Sequence, residues 1–219
     1  MTDQQRYSRR DLILNSLSLT AVALLPANML AGGLTPTPYQ TPGPFYPRRL
    51  PPDSDNNLVD VKGRSEPAKG QVTHIMGRVL DLAGEPVTNA RIEIWQCDAY
   101  GRYHHSSDWG GRGDDNFQGF GHMSVTSDGG YHFRTIRPTV YPGRTPHIHF
   151  KVAGYGIEAF TTQMYVAGDP RNDHDAVLNA IHNPQARASL IVPLVSAPEV
   201  EPDALAGVFN IVLGLNPVL

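Results

Sequence analysis

The chain has 219 residues, 40% hydrophobic and 18% charged, with a net charge of -3. This is the composition of a globular protein long enough for one domain with a substantial core, and it excludes a disordered chain. The mild acidity offers no footprint for nucleic acid or an anionic membrane, and Cys97, the single cysteine, excludes an intrachain disulfide.

Taken in chain order, residues 1–33 read as an address rather than as structure. Ser8-Arg9-Arg10-Asp11-Leu12-Ile13 sets two adjacent arginines before an apolar stretch that ends near Leu25. That stretch is too short and too weakly apolar to span a bilayer comfortably. The pattern resembles a twin-arginine export signal, which implies a periplasmic or secreted protein, exported already folded, with no membrane partner beyond export. Residues 34–70 are rich in Pro, Asp, Asn and Gly without periodic apolar residues, and are expected to form an extended arm. From residue 71 to 219 the pattern is that of a β domain. Strands are expected at His74–Asp81, Ala90–Gln96, Gly121–Thr126, Gly130–Ile136, His147–Val152 and Phe160–Tyr165, with final strands near Ala188–Pro193 and Val208–Leu213. One short helix is expected around Asp173–Ile181. Short strands at close spacing, punctuated by Gly and Pro, predict an all-β fold: an antiparallel β-sandwich with long loops and one or two short helices.

The densest chemical signal is Tyr141-Pro142-Gly143-Arg144-Thr145-Pro146-His147-Ile148-His149-Phe150. Residues two apart on a strand share a face, so His147 and His149 project together and form half of a transition-metal site. Such a pair alone fits structural histidines equally well. No carboxylate stands close in sequence to complete a two-histidine, one-carboxylate set. A phenolate would be a hard anionic donor suited to iron(III), because the charge on the metal offsets the cost of deprotonating a phenol.

Several segments in register resemble the intradiol ring-cleavage dioxygenases. They are Gly43-Pro44-Phe45-Tyr46, Ile94-Trp95-Gln96, Gly101-Arg102-Tyr103-His104-His105, Asp128-Gly129-Gly130-Tyr131-His132-Phe133-Arg134-Thr135-Ile136-Arg137-Pro138, the Tyr141–Phe150 segment, and Thr162-Gln163-Met164-Tyr165. The resemblance runs from about Pro42 to Tyr165. It implies non-haem Fe(3+) held by Tyr103, Tyr141, His147 and His149. Tyr141 resembles the axial tyrosine that releases when substrate binds, and Tyr103 the one that stays. Arg144 would stabilise developing negative charge on the substrate, and Gln163 matches a polar residue near the oxygen side of the pocket. The implied partners are a catechol and O2, and a homo-oligomer is compatible with the sequence. The chain lacks the N-terminal helical domain of catechol 1,2-dioxygenases and is nearer in size to a protocatechuate 3,4-dioxygenase subunit. Only Gly143 separates Tyr141-Pro142 from Arg144, whereas protocatechuate-type members usually carry a longer loop there. No role is assigned to His104, His105 or His122, and Cys97 reads as a small buried hydrophobe.

Two other readings compete. In a cupin-like site, His147 and His149 would be joined by residues such as Glu158, His174 and His182. In a non-enzymatic reading, Gly77–Ile94 belongs to a transthyretin-like binding module, a pattern that speaks for a sandwich but not for an activity.

Overall fold

Alternating apolar residues along 72–166 produce six principal strands: β1 (Val72–Leu80), β2 (Ala90–Trp95), β3 (Phe120–Ser124), β4 (Gly130–Ile136), β5 (His147–Gly154) and β6 (Ile157–Val166). Four short ones follow: β7 (Ile191–Val192), β8 (Val195–Ser196), β9 (Leu205–Val208) and β10 (Ile211–Val212). The computed structural model describes residues 33–108 and 111–214, so residues 1–32 of the expected export segment lie outside the described residues.

The strands form two five-stranded sheets. One has the order β10-β1-β9-β8 with β4 also paired to β1, and the other the order β3-β2-β5-β6-β7. Ile75, Val79 and Phe133 from the first sheet meet Ile92, Ile94, Ile148, Phe150 and Met164 from the second in one buried cluster, which is the interior of an all-β sandwich. The long strands pair antiparallel as expected. β1 also pairs parallel with β9 and β10, and β6 with β7, so both sheets are mixed.

The chain end departs from expectation for local reasons. The helix expected over Asp173–Ile181 divides into a 3-10 turn, Pro170–His174, and a four-residue helix α1, Ala176–Asn179. Asp175 lies between them in an extended conformation and its carboxylate accepts from the N–H groups of Val177 and Leu178, so it starts a new helix rather than continuing the old one. A second helix, α2 (Pro184–Ala188), takes the first residue of the strand expected at Ala188–Pro193. Asn183 caps it and Pro184 occupies its first turn. The strand expected at Val208–Leu213 is interrupted at Phe209-Asn210, where Phe209 N–H donates to the Met76 carbonyl (2.8 Å) and Asn210 Oδ1 accepts from Arg78 N–H (2.9 Å).

The first sheet carries a polar cluster remote from the histidines of β5. His74 Nδ1 lies 2.9 Å from His132 Nε2, and His74 Nε2 lies 3.2 Å from Glu201 Oε2. Arg134 grips the same carboxylate with two bonds of 2.7 Å. Burial, and then the neighbouring His74, lower the imidazole pKa of His132 from 6.5 to about 4. The folded chain therefore binds fewer protons than the unfolded one between these values. The resulting stability is complete above about pH 6.5 and is lost as pH falls towards 4. From pH 7.5 to pH 5 this histidine alone is expected to cost about 2 kcal/mol. Denaturant melts at the two pH values should show a dependence that much shallower in His132→Gln than in the parent chain.

Candidate metal centre

On β5, Ile148, Phe150 and Val152 turn into the sandwich, which sends His147 and His149 to the opposite face of the second sheet. Cross-strand register sets what surrounds them. His149 is opposite Trp95 on β2 and Gln163 on β6, while His147 is opposite Tyr165. The arm covers this face. Gln40 N–H donates to the Thr161 carbonyl (2.8 Å), Thr162 Oγ1 to the Pro38 carbonyl (2.8 Å) and Gln163 Nε2 to the Thr41 carbonyl (3.0 Å). Gly43 then passes directly over His149. Its φ of +66° suits glycine, and a Cβ there would sit 3.4 Å from His149 Cε1.

Past Gly43, Phe45 stacks on Tyr103 with centroids 4.6 Å apart, and Tyr46 packs edge-on against Trp95 at 5.0 Å. Tyr46 Oη donates to Glu93 Oε2 (2.7 Å) and accepts from Lys151 Nζ (3.0 Å). Tyr46→Phe removes both bonds but leaves the Lys151–Glu93 pair at 3.6 Å. It is expected to cost about 1 kcal/mol and lower Tm by roughly 2–4 °C, with earlier proteolytic cleavage of the arm as a second readout.

Two loops complete the enclosure. In the first, Asp98 is fully buried and accepts from the N–H groups of Tyr100, Arg102 and Asp114 at 2.9, 2.9 and 2.6 Å. Gly101, at φ +72°, packs so closely on the second loop that a Cβ would lie 2.4 Å from the Val140 carbonyl oxygen. This contact holds the Tyr103 loop against the Tyr141 loop. Tyr103 is 6% exposed and its ring lies edge-on to Tyr141 at 5.5 Å.

At the centre, Tyr103 Oη is 3.5 Å from His147 Nε2, and His147 Nε2 is 3.2 Å from His149 Nε2. His147 Nδ1 donates to the Thr145 carbonyl (2.6 Å), which fixes its tautomer and leaves a bare lone pair on Nε2. His149 stacks flat on Trp95 at 4.8 Å, and its buried Nδ1 has no protein partner. Tyr141 closes the ring of donors, 5.7 Å from His147 between centroids. Burial, and then the charge of Arg144, lower His147 to about 4; His149 falls well below its ordinary value from burial and the neighbouring His147. Both imidazoles are thus neutral, as metal ligands must be. Burial also pushes the Tyr103 phenol well above its ordinary value, so a phenolate there requires a cation beside it. Two converging imidazole nitrogens, a buried phenol oxygen and a second tyrosine fit a hard, highly charged metal ion.

Arg144 occupies the next layer. Its Nε donates to Asp175 Oδ2 (2.8 Å) and its Nη2 to Gln163 Oε1 (2.7 Å) and Tyr165 Oη (3.3 Å). Burial acts against the guanidinium, but the bond to Asp175 and the fields of Tyr165 and Asp175 hold it firmly cationic. Burial likewise acts to raise Asp175, yet bonds from Arg144, Leu178 N–H and Thr145 N–H keep its carboxyl below the usual range. Gln163 is fully buried and faces Arg144 directly. Beside Tyr141 and Arg144 opens a cleft of about 560 Å³, lined on its far side by Arg171 and His174.

Sequence reasoning missed Asp175 and Tyr165 as partners of Arg144 and Gln163, and Gln40 as the partner of Tyr165. The only local signal for Asp175 is its place before a short helix; its bond to a residue 31 positions away has none. The histidines left without a role make local contacts. His105 Nδ1 accepts from Ser107 N–H (3.1 Å), His122 Nδ1 bonds the Ser54 carbonyl, and His104 packs edge-on to Phe117 at 6.5 Å. Cys97 is 1% exposed, and burial pushes its thiol up to about 12. For the cupin-like alternative, Glu158, His174 and His182 are all exposed, and among the described residues no group of three His, Cys, Asp or Glu side chains can hold a metal.

Comparisons with known proteins identify the family. A family model named Dioxygenase_C and described as "Dioxygenase" matches residues 41–214, which takes in residues 41–70 of the arm. The chain belongs to the intradiol ring-cleaving dioxygenase family. The protocatechuate 3,4-dioxygenase beta chain of Burkholderia cepacia is 38% identical over 169 residues, covering 73% of this chain and 71% of that one. A hydroxyquinol 1,2-dioxygenase of Nocardioides simplex is 33% identical over 153 residues, covering 62% of this chain and 49% of that enzyme. This chain therefore spans about half the length of that hydroxyquinol enzyme. Among solved structures, the dioxygenase domain of a dioxygenase–carbohydrate-binding protein fusion from Streptomyces sp. SirexAA-E superimposes with a TM-score of 0.63 at 32% identity, over 83% of this chain and all of that one. Membership in an intradiol dioxygenase family answers the binding-module alternative, which left the tyrosines and histidines without a purpose.

Proposed function

We propose that the protein opens the ring of a catechol between its two hydroxylated carbons, using O2, at a non-haem iron(III) held by Tyr103, Tyr141, His147 and His149. The single observation that carries this reading is the convergence of His147 Nε2, His149 Nε2 and Tyr103 Oη in a buried site, with 3.5 Å from Tyr103 to His147 and 3.2 Å from His147 to His149. Iron(III) bound there supplies Lewis acidity that draws electron density from a catecholate and readies its ring carbon for O2. Tyr141, the less buried of the two tyrosines, would be the one to give up the metal and accept a catechol proton on its Oη. Arg144 Nη2 stabilises negative charge that builds on the substrate, and Gln163 and Asp175 hold that guanidinium in place. Trp95 and Gly43 sandwich His149 and exclude water from that side. The substrate is of the catechol or protocatechuate type, and the product a cis,cis-muconate-type acid. The twin-arginine pattern of residues 8–13 supports export to the periplasm or beyond, and the same reading accommodates a homo-oligomer.

The test is a visible absorption spectrum of aerobically purified, iron-supplied protein before and after catechol. A red-brown phenolate-to-iron band that shifts on addition is expected. A colourless protein with a full complement of iron would overturn the tyrosine ligands.

A further inference from the structure

Gln40 of the arm is 4% exposed, a depth at which a long polar side chain persists with its bonds made. Its Nε2 has two protons to give. One goes to Tyr165 Oη (3.0 Å) and the other to the Val177 carbonyl (3.2 Å). Both recipients lead to Arg144. Tyr165 Oη also accepts from Arg144 Nη2 (3.3 Å). With Gln40 and Arg144 both donating to this oxygen, its own proton serves Gln163 Oε1 (3.2 Å) in preference to Gln40 Oε1 (3.3 Å). Gln163 Oε1 is the same atom that receives the short bond from Arg144 Nη2 (2.7 Å). Val177 lies in α1, the helix that Asp175 caps, and Asp175 is the carboxylate paired with Arg144. One amide on the arm thus braces both groups that hold the guanidinium. The next arm residue adds a second strut, because Gln163 Nε2 donates to the Thr41 carbonyl (3.0 Å).

We propose that Gln40 is a positioning residue for Arg144, which makes the docked arm part of the ring-opening arrangement and not only its cover. The inference rests on the ring-opening reading and adds to it a residue outside the metal centre. The bonds of Gln40 go to Thr161, Tyr165 and Val177 and pass by the four metal donors. A segment that only sealed the sheet could do so with backbone bonds and apolar contacts, as Gly43 and Phe45 do over His149 and Tyr103. A buried amide whose two protons are both spent on the supports of one guanidinium instead fixes where that charge points, and a charge acts on developing negative charge through its placement.

The test compares variants of the full chain purified with its iron. Gln40→Met keeps the length of the side chain and removes both donors. It should lower kcat about tenfold, short of the roughly 100-fold that a misplacement of about 1 Å can cost. KM, the iron band and its shift with catechol should stay as in the parent. Tyr165→Phe should behave in the same way, and the double variant should be no slower than the slower single one, since both changes cut one line of contact. Thr162→Val removes a bond to the arm at Pro38 and no partner of Arg144, so it should turn over like the parent. In crystals of Gln40→Met the bond from Arg144 to Gln163 is expected to open. Parent-like kcat in Gln40→Met, effects that multiply in the double variant, or an equal fall in Thr162→Val would each overturn the proposal. Should Gln40→Met not fold, full turnover in Tyr165→Phe overturns it. A parent chain that opens no catechol would overturn the ring-opening reading instead, and the crystals would still decide whether Gln40 places the guanidinium.

Discussion

Tyr103→Phe is expected to bleach most of the visible band and slow ring opening beyond the roughly 10- to 100-fold that loss of an outer metal partner typically costs. The substitution removes one oxygen and nothing else from the packing. The Phe45 stack and the edge contact with Tyr141 persist, and Tyr103 N–H still donates to Asp108 Oδ2 (2.7 Å). Stability should therefore hardly change. A slight rise is expected in the metal-free protein, because a phenol oxygen buried beside two imidazoles is replaced by hydrogen. A melting curve alongside the spectrum and the turnover rate separates a lost ligand from a damaged fold. Unchanged colour and rate would remove Tyr103 from the centre.

Arg144→Ala is expected to act on two quantities at once. Asp175 has a side chain with no exposure, and the deletion leaves its charge without a counter-ion. Breaking a buried pair this way costs about 3–5 kcal/mol. The three backbone N–H groups that still reach Asp175, from Thr145, Val177 and Leu178, place the expected loss near the lower figure, about 3 kcal/mol. Turnover should fall by a factor on the order of 100–1,000, the usual consequence of removing a group aimed at developing negative charge, while the iron band persists because no metal donor has been touched. The companion Arg144→Ala/Asp175→Asn removes the stranded charge. It should recover part of the stability and none of the rate. Full turnover in the single variant would end the electrostatic role of Arg144; a rate restored in the double variant would show that the guanidinium only supports the fold.

Much of the fold is legible in the sequence because it follows from short-range rules. The two-residue period places Ile92 and Ile94 inward and Glu93 and Trp95 outward, and the same period puts His147 and His149 on one face. Short strands between turn residues lead to a sandwich. The C-terminal third was harder to read. Its strands are only two to four residues long, below the length at which a period can be recognised, and Asn183 and Asp175 cap helices too short to show a pattern. The parallel pairing of β1 with β9 and β10 has no local signature, since nothing in a strand's own residues states which way its neighbour runs.

The order of residues alone yields the chemical inventory: two histidines facing one way, two tyrosines and an arginine in motifs whose order resembles the family, and an aromatic arm ahead of them. Packing in three dimensions brings Tyr103, 44 residues before His147, within 3.5 Å of it, and sets Arg144 against Asp175 and Gln163. It also closes the arm over His149 through Gly43. The physical reason is one of range. Spacing along a strand sets which residues share a face, but burial of the whole inner face sets the register between strands, and register is what lines up Trp95, His149 and Gln163 across three of them.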